Sequence, residues 1–586
     1  MEEEVIKRTI VYGELEARLK KLEKENQKLK KDKEKYTRKR KNYYEISKIS
    51  KFNFRKEFLQ YLNLPNQLTN SVGLKIKKVV CVSNKTTTED KIDLVIGKKY
   101  VEENNILSKA LYLKDQNNVA DKTWQKFNTQ LNCNLPSLRQ IRKKKKSLHS
   151  QIQIKDIENG FYCNIKIKLT LIVKKLIQKN MIRIINDIII VKIAGDSTNI
   201  YRGNKTLVVS FSIINEFRCN TASGTYIVGI FRVEKEDYDE LQKCLKEIKQ
   251  DFYSLDSIEI ESKNDKKKTI YKIEKFLGGD WKFLQTVLGI TAANSNFFCL
   301  CCEAKRHHVD QYNYESVLYS LTEKYGNNRT IEKARKVIER RINKNMNKGK
   351  KQNKEEEEFF GYKFIPIFDF IEFAKVIPDL MHLFNRISGK LCNLFFKKLK
   401  EHDLRKTEYT DAFIIFLTEN CDIHQPLKDI KDNEEYLKDF TGQKYWNIAK
   451  NVNLLFEKFK NLNRIDEIMQ IWTRFYEIYV LIKYDQVTAI RMKELTLEWL
   501  GNFLKVYSNE DVTPYIHMFV FHLYELKELY AGLSFTINDF NLEGLEKKND
   551  IVTNQYFHSS NRAPLECLKQ ILLKNNRLDF LYFESV

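Results

Sequence analysis

Long apolar runs are missing from these 586 residues. The longest, Ile184 to Ala194, is broken by Asn186, Asp187 and Lys192 and stays well short of the ~20 residues a membrane-spanning helix needs, so no membrane association is expected. The opening residues MEEEVIK hold no apolar signal-peptide core, and the 11 cysteines are odd in number and mostly isolated. Both features point away from secretion and toward a reducing intracellular compartment. Glycine (19) and proline (7) are too scarce for a collagen-like chain, while 42% hydrophobic and 12% aromatic residues are too many for a disordered one. Acid is also in deficit. Asp+Glu 78 against Lys+Arg 102 leaves a net charge of +24, the balance of a protein that meets polyanions, chiefly nucleic acid.

What is present suggests three or four units. Tyr12, Leu15, Leu19, Leu22, Asn26, Leu29 and Tyr36 recur at spacings of three and four, which predicts a coiled coil within 1–45. The polar Asn26 in its seam favours a two-stranded assembly, hence a homodimer; a single solvated helix is the alternative. Residues 46–155 read as a basic helical DNA-binding region. A helix from Asp121 to Leu131, a turn and a helix capped by Ser137 resemble a helix-turn-helix. The second helix presents Arg139, Arg142, Lys143, Lys144, Lys145 and Lys146 to double-stranded DNA. The same run also reads as a nuclear-localisation signal or a nonspecific phosphate contact, and the expected location is the nucleus.

From 156 to 305 the pattern changes to β-branched runs: FYCNIKIKLTLIV, MIRIINDIIIVKIAGD, LVVSFSIINE and YIVGIFRVE, then a helical DYDELQKCLKEIKQDF and a last strand, TIYKIEKFLGGD. Strands, one helix and a strand predict an α/β core. Residues 306–514 are expected to be mainly helical, with a charged loop at Asn343 to Glu358, and 515–586 to complete the core. Asp196 and Asp280 are expected to end two strands, where functional groups gather in an open sheet, and Gly195, Gly278 and Gly279 would allow close approach there. Two neighbouring carboxylates suit divalent cations and phosphodiester chemistry, although Gly-Asp pairs commonly mark plain turns.

Cys299 and Cys302 form C-x-x-C, and His517 and His522 form H-x-x-x-x-H, together a tetrahedral zinc set. Five helical steps turn the second histidine about 140° from the first, so the two can share a metal only across a bend or helix end. Cys301 could replace either cysteine, and His307 and His308 compete as ligands. Further on, Glu543 and Glu546 share one side of a predicted helix, and either could bring a third carboxylate.

The order strand–Asp196, strand–Asp280, C-x-x-C, helical insertion, H-x-x-x-x-H and EGLE resembles the catalytic core of the V(D)J recombinase large subunit and its Transib transposase relatives. Cys299 follows Asp280 by 19 positions and Glu546 follows His522 by 24, as in that family. The resemblance implies an α/β, RNase H-like mixed sheet with a large α-helical insertion. It also implies a DDE triad of Asp196, Asp280 and Glu546 holding two Mg²⁺ (or Mn²⁺), and one structural Zn²⁺ on Cys299, Cys302, His517 and His522. The implied activity is that of a transposase: metal-dependent nicking of DNA at element ends, then strand transfer by the freed 3′-hydroxyl. No RING-type finger or arginine-containing arm is recognisable, so no DNA target carries over. The alternative is a domesticated, catalytically idle zinc-containing DNA-binding protein; a structural zinc protein that binds no DNA fits the charge less well. Asp379 reads as an N-cap and His382 as a partly buried residue, or the two as a pair beside the acids. Trp281 reads as core packing rather than as a base-stacking platform.

Overall fold

The computed structural model describes residues 103–130, 135–201, 204–261, 268–305, 328–345, 359–403, 408–424, 427–429, 435–437, 440–563 and 565–585, with two short strands nearer the N-terminus. Those strands, β1 (Leu74–Ile76) and β2 (Leu94–Ile96), form an antiparallel pair within a first compact unit, residues 1–106. The expected coiled coil of residues 1–45, and the dimer inferred from it, lie outside the described residues.

The second unit, residues 107–586, is a mixed α/β structure around an eight-stranded sheet. Its strands are β3 (Ile154–Ile157), β4 (Gly160–Cys163), β5 (Ile188–Tyr201), β6 (Asn204–Ile213), β7 (Thr225–Val233), β8 (Ser257–Glu261), β9 (Lys268–Gly279) and β10 (Val376–Pro378). They lie in the order β10-β9-β5-β6-β7-β4-β3, with β8 also paired to β9. β5, β6 and β7 form an antiparallel meander, whereas β9 runs parallel to β5 and β10 parallel to β9. Residues of alternate parity along β6 feed two cores, as the period of two requires, and a bulge opposite Val209–Ser210 shifts that alternation partway along β7. Leu207, Val209, Phe211, Tyr226 and Val228 enter the main core. Val208, Ile227 and Ile230 pack with Val552, Leu568, Ile571 and Leu572 from the C-terminal helices.

The helices that bear on the sheet start with α1 (Glu103–Gln116), α2 (Asp121–Gln130) and α3 (Leu138–His149). Ser137 and Gln140 form a reciprocal capping box at the start of α3. The turn before it is tied down by Trp124 Nε1 and Asn128 Nδ2, which donate to the carbonyls of Pro136 and Leu135 at 3.0 Å. One expected strand needs correction. Only Phe161–Cys163 of the FYCNIKIKLTLIV run is β; Asn164 then accepts from the Ile167 N–H and starts α4 (Ile165–Gln178). Its buried Ile165, Leu169, Ile172, Val173 and Leu176 recur at helical spacing, a pattern that a short apolar run hides. α5 (Tyr238–Tyr253), capped by Asp237, is the crossover between β7 and the β8–β9 hairpin.

α6 (Trp281–Val287) follows β9. The region expected to be helical holds α7 (Ile331–Asn345), α8 (Leu380–Asp403), α9 (Glu408–Glu419), α10 (Gly442–Lys450), α11 (Val452–Lys458), α12 (Ile465–Lys483) and α13 (Ala489–Val506). It also returns to the sheet through β10, three residues too short to signal themselves in sequence. Most of the charged stretch, 346–358, lies outside the described residues. Aromatic packing holds the region together. Phe384 of α8 stacks on Tyr479 at 4.3 Å and Trp446 at 5.0 Å, and the buried Trp499 donates to the Ile471 carbonyl. The chain ends in α14 (Pro514–Phe521), α15 (Leu523–Gly532), α16 (Glu543–Ser559) and α17 (Glu566–Ser585). Among the described residues, no helix is long and apolar enough to cross a membrane.

Buried charge fastens α17 to α4 and α16. Asp579 pairs with Lys168 of α4 at 2.7 Å and with Lys548 of α16 at 3.5 Å, and all three side chains are nearly inaccessible. Removing one partner of a buried pair costs about 3–5 kcal/mol because the other charge is left uncompensated. Asp579→Ala is therefore expected to lower unfolding stability by about that amount in urea titrations, with the Lys168→Met/Asp579→Leu pair recovering part of it.

Candidate active site and metal centre

Two adjacent strands bring the first two acids together. The parallel ladder runs from Ile188↔Lys272 to Gly195↔Gly279, so the next residues, Asp196 and Asp280, stand side by side at about one strand spacing of 4.8 Å. Asp280 ends β9 and caps α6, accepting from the Phe283 N–H at 2.6 Å. Asp196 does not end its strand. It is paired with Val208 of β6, and β5 continues to Tyr201; what stops at residue 195 is the pairing with β9 alone. The glycines also differ from expectation. A Cβ on Gly195 or Gly279 would lie 2.4–2.5 Å from the Phe283 ring, and one on Gly278 would press on Leu542 and Lys192. They make room for packing rather than for a substrate.

The third acid comes from α16. Leu542 and Leu545 pack on Ala194 of β5, while the buried Lys192 donates to the carbonyls of Phe540 and Asn541 just before the helix. So seated, Glu546 lies with Asp379 and His382, their ligand atoms all within 4.8 Å of one another. His382 Nε2 is 3.5 Å from Glu546 Oε1, and its Nδ1 contacts the buried Asp379. Asp379 also accepts from the Met381 N–H at the start of α8, combining the capping role with that of a partner for His382. Glu543, one turn earlier, pairs instead with Lys547 at 3.7 Å.

Electrostatics describe a crowded carboxylate site. Asp196 is pushed up to about 7 by burial, then by the charges of Asp280 and Glu236, against the pull of His382. Glu546 is pushed up to about 7 by burial, then by Asp379 and Asp196. Burial also raises Asp280, with Glu236 adding and the Phe283 N–H opposing. Burial disfavours the cation of His382, but Asp379, Glu546 and Asp280 outweigh it and hold the imidazolium up to about 9. Several carboxylates that repel one another around half-buried oxygens are a donor set suited to hard divalent cations.

Sequence reasoning missed two participants. Asn549, one turn beyond Glu546, donates from Nδ2 to Asp196 Oδ2, while its own Oδ1 is buried without a hydrogen-bond partner. Lys192, whose ammonium burial pushes down to about 8, showed only as a lysine inside an apolar strand. That interruption, and the E-x-x-N spacing, were the available signals.

The second cluster is fully buried. Cys299, Cys302, His517 and His522 place their ligand atoms within 4.8 Å of one another and could hold a zinc ion. His517 Nε2 and His522 Nε2 are 3.2 Å apart, and Cys302 Sγ lies 3.3 and 3.2 Å from them. A tetrahedron with Zn–N near 2.05 Å and Zn–S near 2.3 Å has edges of about 3.3–3.8 Å, so the donors already sit close to its corners. The histidines converge because the helix breaks between them: His522 closes α14 with φ −125° and precedes α15. His522 Nδ1 meets Glu525 at 2.9 Å, an outer partner that fixes its ring. Although burial opposes it, hydrogen bonds from Cys301 and Cys302 and the charges of both histidines hold the Cys299 thiol well below its usual range. Cys301 stands outside this donor set, and His307 and His308 lie outside the described residues.

No family model matches the chain, and no curated protein is significantly similar to it. The remaining sequence candidates lie elsewhere. On α3, Arg139, Lys143 and Lys146 are exposed. Arg142 is exposed as well, paired with Asp121 (2.9 Å), whereas Lys144 and Lys145 turn partly inward to Glu584 (3.2 Å) and Asp115 (3.3 Å). Ile141 and Leu148 anchor the helix in the core, which rotates those cations toward the protein. Trp281 is buried against Tyr515 and offers no platform for a base. Elemental analysis is expected to find about one Zn²⁺ per chain, lost in Cys302→Ser and in His517→Ala but kept in Cys301→Ser.

Proposed function

We propose that the chain is a divalent-metal-dependent DNA endonuclease and strand transferase of the DDE transposase type, on an RNase H-like core. The observation that carries the reading is the register that sets Asp196 beside Asp280, with Glu546 on α16 near enough for the charge of Asp196 to raise it. The strand order supports it: a three-stranded meander extended on the free side of its first strand by two successive parallel strands is the arrangement that the RNase H-like reading requires. Asp196, Asp280 and Glu546 would hold the two Mg²⁺ or Mn²⁺ ions, which when bound supply activation of the attacking oxygen and stabilisation of the leaving one. Asn549 orients Asp196, and the His382–Asp379 pair sets the position and charge of Glu546. Lys192 holds the segment that delivers Glu546. Duplex DNA is the substrate that the net charge of +24 favours, with the exposed cations of α3 meeting its phosphates, and a nucleus is where a homodimer of this kind would work.

Purified protein incubated with Mg²⁺ or Mn²⁺ and DNA carrying candidate element ends is expected to nick it. Asp196→Asn, Asp280→Asn and Glu546→Gln should each reduce cleavage to background while DNA binding persists. Glu543→Gln should remain active, and Asn549→Ala should lose about 10–100-fold, the usual cost of an outer partner. Wild-type rates in any of the three acid variants would remove that residue from the triad, and intact binding without cleavage by the parent protein would leave the idle DNA-binding reading. Replacing Arg139, Lys143 and Lys146 with Ala is expected to flatten the salt dependence of duplex binding, the log–log slope falling by about 0.9 for each phosphate that the helix no longer neutralises.

A further inference from the structure

Between the N-terminal helices and the C-terminal pair α16–α17 lie two adjoining cavities, of about 430 Å³ and about 500 Å³. Asn118 lines both and stands between them. The first is cationic: Lys114, Lys145, Lys574 and Arg577 face Asp115 and Asp121. Their pairing leaves a surplus. Lys114 meets Asp121 at 3.1 Å, while Arg577 and Lys145 share Asp115 at 2.7 and 3.3 Å. Lys574 is only 6% exposed, yet its hydrogen bond goes to the neutral Asn118 Oδ1, and no carboxylate among the described residues forms an ion pair with it. Burial, Arg577, Lys145 and Lys114 together outweigh Asp115 and push its ammonium down to about 8. A buried cation without a counter-ion is costly, and a bound anion would remove that cost.

The second cavity has a different chemistry. Amides of Gln116, Asn554, Gln555 and Asn575 line it beside the rings of Tyr112 and Tyr582. Asn575 is completely buried and its Oδ1 has no hydrogen-bond partner. Amide groups read the edges of nucleobases, and tyrosine rings stack on their faces.

We propose that the paired cavities bind a nucleoside phosphate, the phosphate against Lys574 and Arg577 and the base in the amide-lined compartment. Their sizes fall within the usual range of about 300–1,000 Å³ for small-molecule sites. The ligand is either a free nucleotide or a nucleotide of a single strand, since both present the same phosphate and base. The site is separate from the acidic cluster: α16 turns Glu546 and Asn549 to the acids and Ile551 and Gln555 to this cavity.

Isothermal titration of the full chain with the four ribonucleoside 5′-monophosphates, the parent nucleosides, inorganic phosphate and a 5′-phosphorylated tetranucleotide tests this. At least one monophosphate is expected to bind tenfold or more tightly than its nucleoside and than phosphate; if only the tetranucleotide does so, the source is a strand. Lys574→Met should weaken that binding by roughly tenfold or more, as loss of a charged hydrogen bond does, while thermal stability without ligand holds or rises because an uncompensated buried charge is gone. Asn554→Ala, on the exposed rim, should weaken nucleotide binding and leave phosphate binding unchanged. Phosphate binding as tightly as every nucleotide, nucleotide binding unchanged in Lys574→Met, or no binding of any probe would overturn the proposal.

Discussion

The ladder between β5 and β9 joins strands separated in the chain by a meander and a helix, and its final rung, Gly195↔Gly279, decides where two carboxylates meet. Strand side chains alternate faces, so a slip of one residue would turn one acid to the opposite side of the sheet. The two glycines suit that register, because a Cβ on either would collide with the Phe283 ring packed against them. Asp280 then serves twice, as the cap of α6 and as a member of the acidic cluster. Position and chemistry therefore derive from one backbone pairing.

Glu546 arrives by a longer route. The chain leaves the sheet after Asp280, passes through the cysteine pair and the helical region, and returns through His517 and His522 before α16 begins. The four-donor cluster, which could hold a zinc ion, brings residues 299 and 302 to 517 and 522 and shortens that loop to a local connection; closure of so long a loop is where a metal clip would constrain most. Lys192 completes the delivery by fixing carbonyls 540 and 541, a demanding use of a buried ammonium that only hydrogen bonds make tolerable.

His382 is the cation that bears on Asp196, Asp280 and Glu546 together. His382 sits two residues before Phe384, which is locked in the aromatic core of the helical region. Packing far from the acids thus determines where this imidazolium stands. Carboxylates raised toward neutrality by burial and by each other favour any state that brings in further positive charge.

Much was legible in residue order. The β-branched runs marked β5, β6, β7 and β9, Ser137 marked α3, and C-x-x-C with a distant histidine pair marked a four-donor cluster whose need for a helix break followed from 100° per residue. Those features are local or depend on spacing alone. Tertiary structure decided the rest, for reasons that no window of sequence contains. Whether the Ile165–Val173 run was strand or helix depended on which surface buried it. Whether Glu543 or Glu546 met Asp379 and His382 depended on how Leu542 and Leu545 seat α16 on Ala194, and how many lysines of α3 remain in solvent depended on acids up to 440 residues away. Sequence determined which chemical groups were available and their local backbone; the meeting of carboxylates, imidazoles and ammonium groups is set by through-space packing and Coulomb terms between chain segments that share no local pattern.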